Sequence, residues 1–215
     1  TSYKVMDNGL LTELGYLYTG STGPCHVVVH PTGDYVFVAN YYGGAVTLFR
    51  CGGDGSLEER VMNHQHEGKS IDPERQQEAH PHSVNLSPDS RYLFVPDLGT
   101  DQINVYRVDD SLPSTAGGRS MGRLSHRGFV SVKPGSGPRH FAFHTGGRLA
   151  YCINELSSSI TAFAYNDCSG KLTNIHTIST LPENFSGHSH CADIHVHPTG
   201  RFVYGSNRGH DSITI

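Results

Sequence analysis

The 215-residue sequence predicts an all-β protein assembled from repeated units of four antiparallel strands. Its 25 Gly and 11 Pro make it rich in turn residues, which suits many short strands. Its apolar residues alternate with a period of two over short stretches, which is typical of strands. Four such stretches repeat in register, and they start at Gly23, His80, Gly137 and His190. Four-stranded units repeated around an axis are the blades of a β-propeller, which is therefore the predicted fold class.

Each copy of the repeat is predicted to contain strands a to d in that order. Strand a keeps large apolar side chains at alternate positions, as at Val27 and Val29. A turn containing Gly or Pro follows, and strand b is almost continuously apolar, so we expect it to be buried on both faces. Strand c and, after a polar turn, strand d complete the unit. Strand b is predicted at 35–40, 92–97, 149–154 and 202–207, and strand c at 46–49, 103–106, 160–163 and 213–215.

The two ends of the chain resemble parts of blades. Residues 1–19 fit strands c and d of an earlier blade, and the last residues stop at strand c. We therefore predict one domain, residues 1–215, that is a partial β-propeller of about four blades, truncated at both ends. Two insertions, Asn63–Ala79 and Arg107–Gly128, are predicted to be polar connections within the array. The absence of Trp argues against the WD40 type, and a β-sandwich would not explain the repeat.

Composition limits the classes of function. The net charge is −4 and no basic stripe is evident, which argues against nucleic acid as a partner. The apolar runs are far too short to cross a membrane, so no membrane partner is expected, and the oligomeric state is left open. An odd number of cysteines without a CxxC pair predicts reduced, buried thiols and a cytoplasmic location, and no leader peptide is visible. The cysteines are Cys25, Cys51, Cys152, Cys168 and Cys191.

The repeat also separates structural polar residues from candidate functional ones. A polar residue that recurs in every copy is expected to fix a turn. This prediction covers Asn40, Asp97, Asn154 and Asn207, which follow strand b, and the turn histidines His30, His144 and His197. Two positions vary instead: the start of strand a (Cys25, His82, Arg139, Ala192) and the end of strand b (Tyr41, Leu98, Glu155, Arg208).

Propeller geometry brings these two variable positions together. Strand a is innermost and strand b returns beside it, so the start of one and the end of the other lie on the same face, near the central channel. We therefore expect the candidate residues to face one funnel, with solvated surface charges as the alternative. The candidates are His82, Arg139, Glu155 and Arg208.

The histidine-rich segment "GHSHCADIHVH" (187–197) raises the question of a metal site. Alternation separates His195 and His197 on strand a from His188 and His190 in the entry loop. No HExxH or CxxC spacing is present, and a tetrahedral site needs three or four converging ligands. We predict no metal here. A GxSxG elbow is also absent, so a serine hydrolase has no local support.

The motifs "PHS", "VPDLG", "GPRH", "NELSS" and "SNRGHDSI" occur in this order along the chain. With them, nearly the whole sequence resembles the lactonase family of seven-bladed β-propellers, which includes propeller-type 6-phosphogluconolactonases and fungal carboxymuconate cyclases. The resemblance implies an active site made of His82, Arg139, Glu155 and Arg208. Seven blades of roughly 50 residues need about 350, so about three blades lie outside this chain.

The resemblance implies a hydrolase that opens a small anionic lactone, 6-phosphogluconolactone, to 6-phosphogluconate in the pentose phosphate pathway, without a cofactor. Arg139 and Arg208 suit the substrate anion and the oxyanion. His82 or Glu155 would move the proton, and His82 is favoured because an unshifted imidazole titrates at about 6.5. Two alternatives stay open: a carboxy-cis,cis-muconate cyclase-like lactonising enzyme, and a binding platform without turnover.

Overall fold

The computed structural model of the chain describes residues 1–109 and 122–215, and every regular element in these two ranges is a β-strand. An N-terminal hairpin contains β1 (Ser2–Val5) and β2 (Leu11–Gly15). Blade 1 contains β3 (Pro24–Val29), β4 (Tyr35–Asn40), β5 (Ala45–Cys51) and β6 (Leu57–Gln65). Blade 2 contains β7 (Asn85–Leu86), β8 (Tyr92–Asp97), β9 (Gln102–Asp109) and β10 (Arg123–Ser131). Blade 3 contains β11 (Pro138–Phe143), β12 (Leu149–Asn154), β13 (Ser159–Asn166) and β14 (Lys171–Ser179). Blade 4 contains β15 (His190–Val196), β16 (Val203–Arg208) and β17 (Ser212–Thr214).

Each blade is an antiparallel sheet whose strands pair in chain order. Three sheets have the four strands a to d, and the last has a to c. The predicted β-propeller of four-stranded antiparallel blades is therefore confirmed. Strand b matches its predicted bounds in blades 1 to 3, and in blade 4 it begins and ends one residue later.

Apolar cores between successive blades hold the array together. Between blades 1 and 2, Phe37 and Leu48 pack with Leu93 and Tyr106, all almost fully buried. Blades 2 and 3 share a similar core around Phe94, and a smaller one joins blades 3 and 4. Each large side chain buried in this way contributes about 1.5–3 kcal/mol. Each blade therefore depends on its neighbours for its buried surface.

The open sides of the array leave some strand residues exposed. In strand a, Val84 and Phe141 are buried, whereas Val27 at the equivalent position of blade 1 is 60 % exposed. Val27 lies on the side of blade 1 that faces away from blade 2, so no second four-stranded blade covers it. Strand b of blade 4 is likewise less buried than strand b of blade 2.

The predicted polar connections are shorter than the sequence suggested. Strand β6 continues through Gln65, and the pairing of Thr47 with Asn63 lies inside the predicted connection Asn63–Ala79. Strand β9 continues through Asp109 and β10 starts at Arg123, so both enter the predicted connection Arg107–Gly128. The outer strands face water, so polar residues can continue the ladder there. Residues 110–121 of that connection lie outside the described residues.

The recurring polar residues are structural, as predicted. The amide of Asn40 donates to the carbonyl oxygen of Ala45, and Asp97 Oδ1 accepts hydrogen bonds from the backbone N–H groups of Gly99 and Thr100. Asn154 and Asn207 also bind residues of the turn or strand that follows. The turn histidines His30, His144 and His197 each form a hydrogen bond with a residue of their own turn.

All five cysteines are free, but the prediction that they are buried is wrong for two of them. Cys51, Cys152 and Cys191 are buried, whereas Cys25 and Cys168 are exposed. Cys168 lies in the polar turn between β13 and β14, and Cys25 lies at the start of β3, where its Sγ is 3.3 Å from the carbonyl oxygen of His82. In the described ranges, no helix has the length and apolar character needed to span a membrane.

Candidate active site

A β-bulge at the start of strand a positions the first candidate residue. In blade 3, Pro138 pairs with Asn154 but His140 pairs with Ile153, so Arg139 is an extra residue in the ladder. The same irregularity follows Pro24 in blade 1 and Cys191 in blade 4. Bulges change the direction of side chains and are common beside active sites. The bulge turns Arg139 toward the end of strand b.

Glu155 follows strand b directly and meets Arg139 there. The backbone N–H of Glu155 donates to the carbonyl oxygen of Gly137 at 2.7 Å, which holds it beside the start of strand a. Arg139 Nε then lies 2.8 Å from Glu155 Oε2. Gly137 has φ of +63°, and an added Cβ would lie 2.6 Å from the side chain of Leu156. The turn that presents this ion pair therefore requires glycine at 137.

Glu155 is the centre of a cluster of basic groups. It is 4 % exposed, and its Oε2 lies 2.8 Å from Arg139 Nε and 3.0 Å from Arg208 Nη2. His82 Nε2 lies 3.8 Å from the same oxygen. The structure therefore brings together the four candidates that the sequence indicated. Their chemical roles remain a prediction.

A third arginine, Arg75, which was not among the candidates predicted from the sequence, also binds Glu155. Arg75 Nη2 donates to Glu155 Oε1 at 2.8 Å and to the hydroxyl of Tyr41 at 3.3 Å. Its loop is ordered by Asp72, whose Oδ1 accepts a hydrogen bond from the backbone N–H of Arg75. Buried Gln76 fixes the loop by donating to the carbonyl oxygen of Leu98. The position of this loop in the repeat is the signal that could have identified Arg75. A connection from strand d of one blade to strand a of the next ends on the face of the propeller where the funnel lies.

Backbone carbonyls of blade 4 restrain two of the guanidinium groups. Arg139 Nη1 donates to the carbonyl oxygen of Ala192 at 2.6 Å, and Arg208 Nη2 donates to that of Cys191 at 2.9 Å. Three guanidinium groups face the single carboxylate of Glu155, which leaves a surplus of two positive charges. Such a surplus on restrained, fork-shaped donors suits an anionic ligand.

A cavity of about 600 Å³ opens beside this cluster. Its charged lining consists of Arg75, Arg208, Glu74 and Glu155, and His82 lies on its wall. Arg139 lies behind this lining, in contact with Glu155. Tyr41 and His80 stack with ring centroids 4.5 Å apart and form an aromatic part of the wall. A larger cavity of about 700 Å³ lies at the turns between strands a and b, around His30 and Asp89, and contains none of the candidates.

Burial and charge lower the pKa of both proton-handling candidates. Burial lowers the pKa of His82 to about 3, and the positive charge of Arg139 adds to this. For Glu155, burial alone would raise the pKa, but the hydrogen bond from Arg75 and the charges of Arg208 and Arg75 outweigh it. The pKa of Glu155 therefore lies below its ordinary value. The premise that His82 titrates near neutrality is wrong for the free site, because both burial and charge favour the neutral imidazole.

The histidine-rich segment 187–197 places its side chains in different contacts. His195 Nε2 binds Asp193, whereas His197 Nδ1 binds Thr199 at the turn. Within residues 1–109 and 122–215, no three His, Cys, Asp or Glu side chains are grouped so that they could hold a metal ion.

The chain matches known proteins along its whole length. Residues 1–215 match the family described as "Lactonase, 7-bladed beta-propeller". A relative named 6-phosphogluconolactonase from Bacillus subtilis (strain 168) is 38 % identical over 215 residues, which are 100 % of this chain and 58 % of the relative. Another protein of that name, from Serratia proteamaculans (strain 568), is 32 % identical over 217 residues, which cover 100 % of this chain and 59 % of the relative.

A solved structure shows the same fold. The periplasmic gluconolactonase of Pseudomonas aeruginosa superimposes with a TM-score of 0.84 at 35 % identity, over 97 % of this chain and 56 % of the other. The chain thus spans less than two thirds of each of these relatives. Its four blades are part of a fold that has seven in the matching family. The full-length family match and the shared fold show that the chain belongs to the lactonase family of seven-bladed β-propellers.

Proposed function

We propose that the protein containing this chain hydrolyses a sugar lactone with an anionic group, namely 6-phosphogluconolactone to 6-phosphogluconate, as a step of the pentose phosphate pathway. The observation that carries the proposal is the set of three arginines around buried Glu155, two of which, Arg75 and Arg208, line a cavity with it. Relatives named 6-phosphogluconolactonase support the choice of substrate. A cytoplasmic location and a single truncated domain at residues 1–215 are part of the same proposal.

The arginines differ in exposure, which suggests separate tasks. The side chains of Arg75 and Arg208 are 37 % and 52 % exposed and line the cavity, which supports assigning them to the phosphate group. Arg139 is deeper, with its side chain 15 % exposed, and we assign to it the stabilisation of the oxyanion that forms at the lactone carbonyl. Glu155 orients all three guanidinium groups.

In the proposed reaction, water attacks the lactone carbonyl carbon and the ring C–O bond breaks. One proton must leave the water, and one must reach the ring oxygen. We assign both proton transfers to the neutral imidazole of His82, which lines the cavity. Its low pKa in the free site makes it a weak base. An anionic substrate would offset the charge of the arginines and raise that pKa toward a useful value.

The test is a rate comparison on the complete propeller that contains this chain. We expect kcat/KM for 6-phosphogluconolactone to exceed that for the unphosphorylated gluconolactone by about 10- to 100-fold, since a charge-assisted contact contributes about 1.5–3 kcal/mol. Both rates are corrected for spontaneous hydrolysis. A carboxylated muconate serves as the third substrate. Equal rates on the two sugar lactones would contradict the phosphate assignment, and turnover of the muconate alone would contradict the proposed function.

A further inference from the structure

The residue after the bulge position also varies among the blades. At this position stand His26, Ser83, His140 and Asp193. The last two meet across the boundary between blades 3 and 4, where His140 Nδ1 lies 2.7 Å from Asp193 Oδ1. Neither residue belongs to the recurring turn-fixing set, and neither is among the candidates discussed above. Their contact requires a separate explanation.

Asp193 is held in one orientation. Its Oδ1 accepts a hydrogen bond from the backbone N–H of Ile194 at 2.9 Å, and its Oδ2 lies 2.9 Å from His195 Nε2. Its own backbone N–H donates to the hydroxyl of Ser206. Burial alone would raise the pKa of Asp193, but the hydrogen bond from His140 and those from Ile194 and His195 lower it to about 2. Asp193 is therefore ionised and can only accept hydrogen bonds.

The contacts of His140 determine its tautomer. Since ionised Asp193 only accepts, Nδ1 of His140 must carry a proton and donate it. On the other side of the ring, Nε2 lies 3.2 Å from Arg139 Nη1, and a guanidinium group only donates. Nε2 must therefore be an unprotonated acceptor. The result is a continuous chain of hydrogen bonds from Asp193 through His140 to Arg139.

This chain of hydrogen bonds completes the fixation of Arg139. Its Nε binds Glu155 and its Nη1 is shared by His140 and the carbonyl oxygen of Ala192. Within residues 1–109 and 122–215, the Nη2 atom of this guanidinium makes no hydrogen bond. The two nitrogens that bind the protein fix the direction of the remaining one, and a donor of fixed direction is what stabilisation of a substrate oxygen requires.

We propose that His140 and Asp193 are positioning residues that fix Arg139 for its contact with the substrate. The inference rests on the proposed function, and it adds to it a pair of residues that act through Arg139. It requires a neutral His140, because a protonated ring could not accept the hydrogen bond from Arg139.

Several charged groups around His140 determine when it becomes protonated. Burial lowers its pKa and the charge of Arg139 lowers it further, whereas Asp193 and Glu155 raise it, with a lowered pKa as the net result. The rings of His26 and His82 also face it, at centroid distances of 5.3 and 5.5 Å. The neutral form therefore dominates at neutral pH. As the pH falls through the lowered pKa, His140 becomes charged, Arg139 loses its acceptor, and activity should fall.

Three variants of the complete propeller test the inference with the phosphorylated lactone. His140→Ala should lower kcat by at least about 10-fold with KM within about 3-fold, because only the fixation of the oxyanion donor is lost. His140→Gln keeps an acceptor without a titrating ring, so it should retain kcat at pH 7.5 and lose the decline at acid pH. In Asp193→Asn the acid decline should move to lower pH, because the carboxylate no longer raises the pKa of His140.

A matched control and a second measurement separate this inference from the proposed function. His144→Gln changes a histidine in the turn after the same strand, at the opposite face, and should leave the pH profile unchanged. The ¹⁵N shifts of His140 should show the Nδ1–H tautomer. The substitution Arg139→Gln should raise the pKa of His140. Both results are expected whether or not the protein hydrolyses a lactone. Wild-type kcat and pH profile in His140→Ala, or an Nε2–H tautomer, would overturn the inference. A wild-type protein without lactonase activity would overturn the proposed function instead.

Discussion

Arg75 and Glu155 are 80 residues apart in the chain, yet Arg75 Nη2 and Glu155 Oε1 are 2.8 Å apart. The arginine comes from the connection between blades 1 and 2, and the glutamate from blade 3. The contact joins the loop that leads into blade 2 to the end of strand b in blade 3. It shows that the candidate site depends on the position of several blades at once.

Removal of the central carboxylate should disturb all three arginines. Glu155→Gln keeps the shape of the side chain but removes its charge, so the guanidinium groups repel one another without a counter-charge. We expect kcat to fall about 10²-fold, since small displacements of catalytic groups have effects of this size. Removing one partner of a fully buried ion pair costs about 3–5 kcal/mol of stability. The loss here should be smaller, because Arg75 and Arg208 keep access to water. Steady-state kinetics and thermal unfolding measure the two effects. Unchanged kcat would contradict the orienting role.

The loss of Arg75 should affect substrate binding more than turnover. In Arg75→Gln we expect KM for the phosphorylated lactone to rise about 10- to 100-fold, which corresponds to one charge-assisted hydrogen bond, with kcat nearly unchanged. The rates on unphosphorylated gluconolactone should not change. Lys69→Gln removes a positive charge from an exposed position of the same loop and is the matched control. Equal effects of the two substitutions would show a general influence of charge and not a phosphate contact.

Arg139→Lys tests whether the shape of the guanidinium group matters. Lysine keeps the charge but cannot bind Glu155, Ala192 and a substrate oxygen with fixed geometry. We expect kcat to fall about 10²–10³-fold, as for the removal of one oxyanion donor. Arg148→Lys, at the exposed end of the same blade before β12, should have no effect. Near-normal turnover in Arg139→Lys would show that charge alone is sufficient.

The pH dependence of His82 differs from that of an ordinary imidazole. Its pKa in the free site is lowered to about 3, so the neutral form that accepts a proton persists as the pH falls from 8 to 5 and is lost only below that range. His82→Gln should therefore lower kcat about 10²–10⁴-fold at every pH between 5 and 8, without moving the acid limb of kcat/KM. A limb near pH 6.5 that disappears in this variant would contradict the lowered pKa. Wild-type rates in His82→Gln would exclude His82 from proton transfer.

Residues 1–215 expressed alone should self-associate and lack activity. Apolar side chains are exposed on both open sides of the array, with Val29 at 55 % on one side and Ile213 at 62 % on the other. Unpaired strand edges accompany them, and such edges promote association. Analytical ultracentrifugation and the lactonase assay test this, with the complete propeller as the control. A monodisperse, fully active monomer would contradict the proposal that these residues are a truncated domain.

The sequence predicted the repeat, the order of strands within each blade and four residues of the candidate site. It could do so because strand periodicity and turn residues are local patterns, and because Arg139 and Glu155 interrupt a regular repeat at positions that the fold brings together. Asn40 and Asp97 were also recognised as structural from their recurrence. Local patterns predicted the end of strand β9 and the start of strand β10 less well, because these strands continue through polar residues.

The tertiary structure decided the properties that depend on several blades. The bulge at Arg139 changes the direction of its side chain, and no alternation pattern in the sequence marks it. The ion pair of Arg75 depends on how a nonperiodic loop packs beside the end of strand b in blade 3. The pKa of His82 depends on burial and on a charge from another blade, so its amino-acid type alone suggested the wrong value. The sequence alone thus determined the blades and the identity of the candidate residues, because these follow from local patterning. Distances, orientation and protonation were decided by packing between blades, because they arise from groups far apart in the chain.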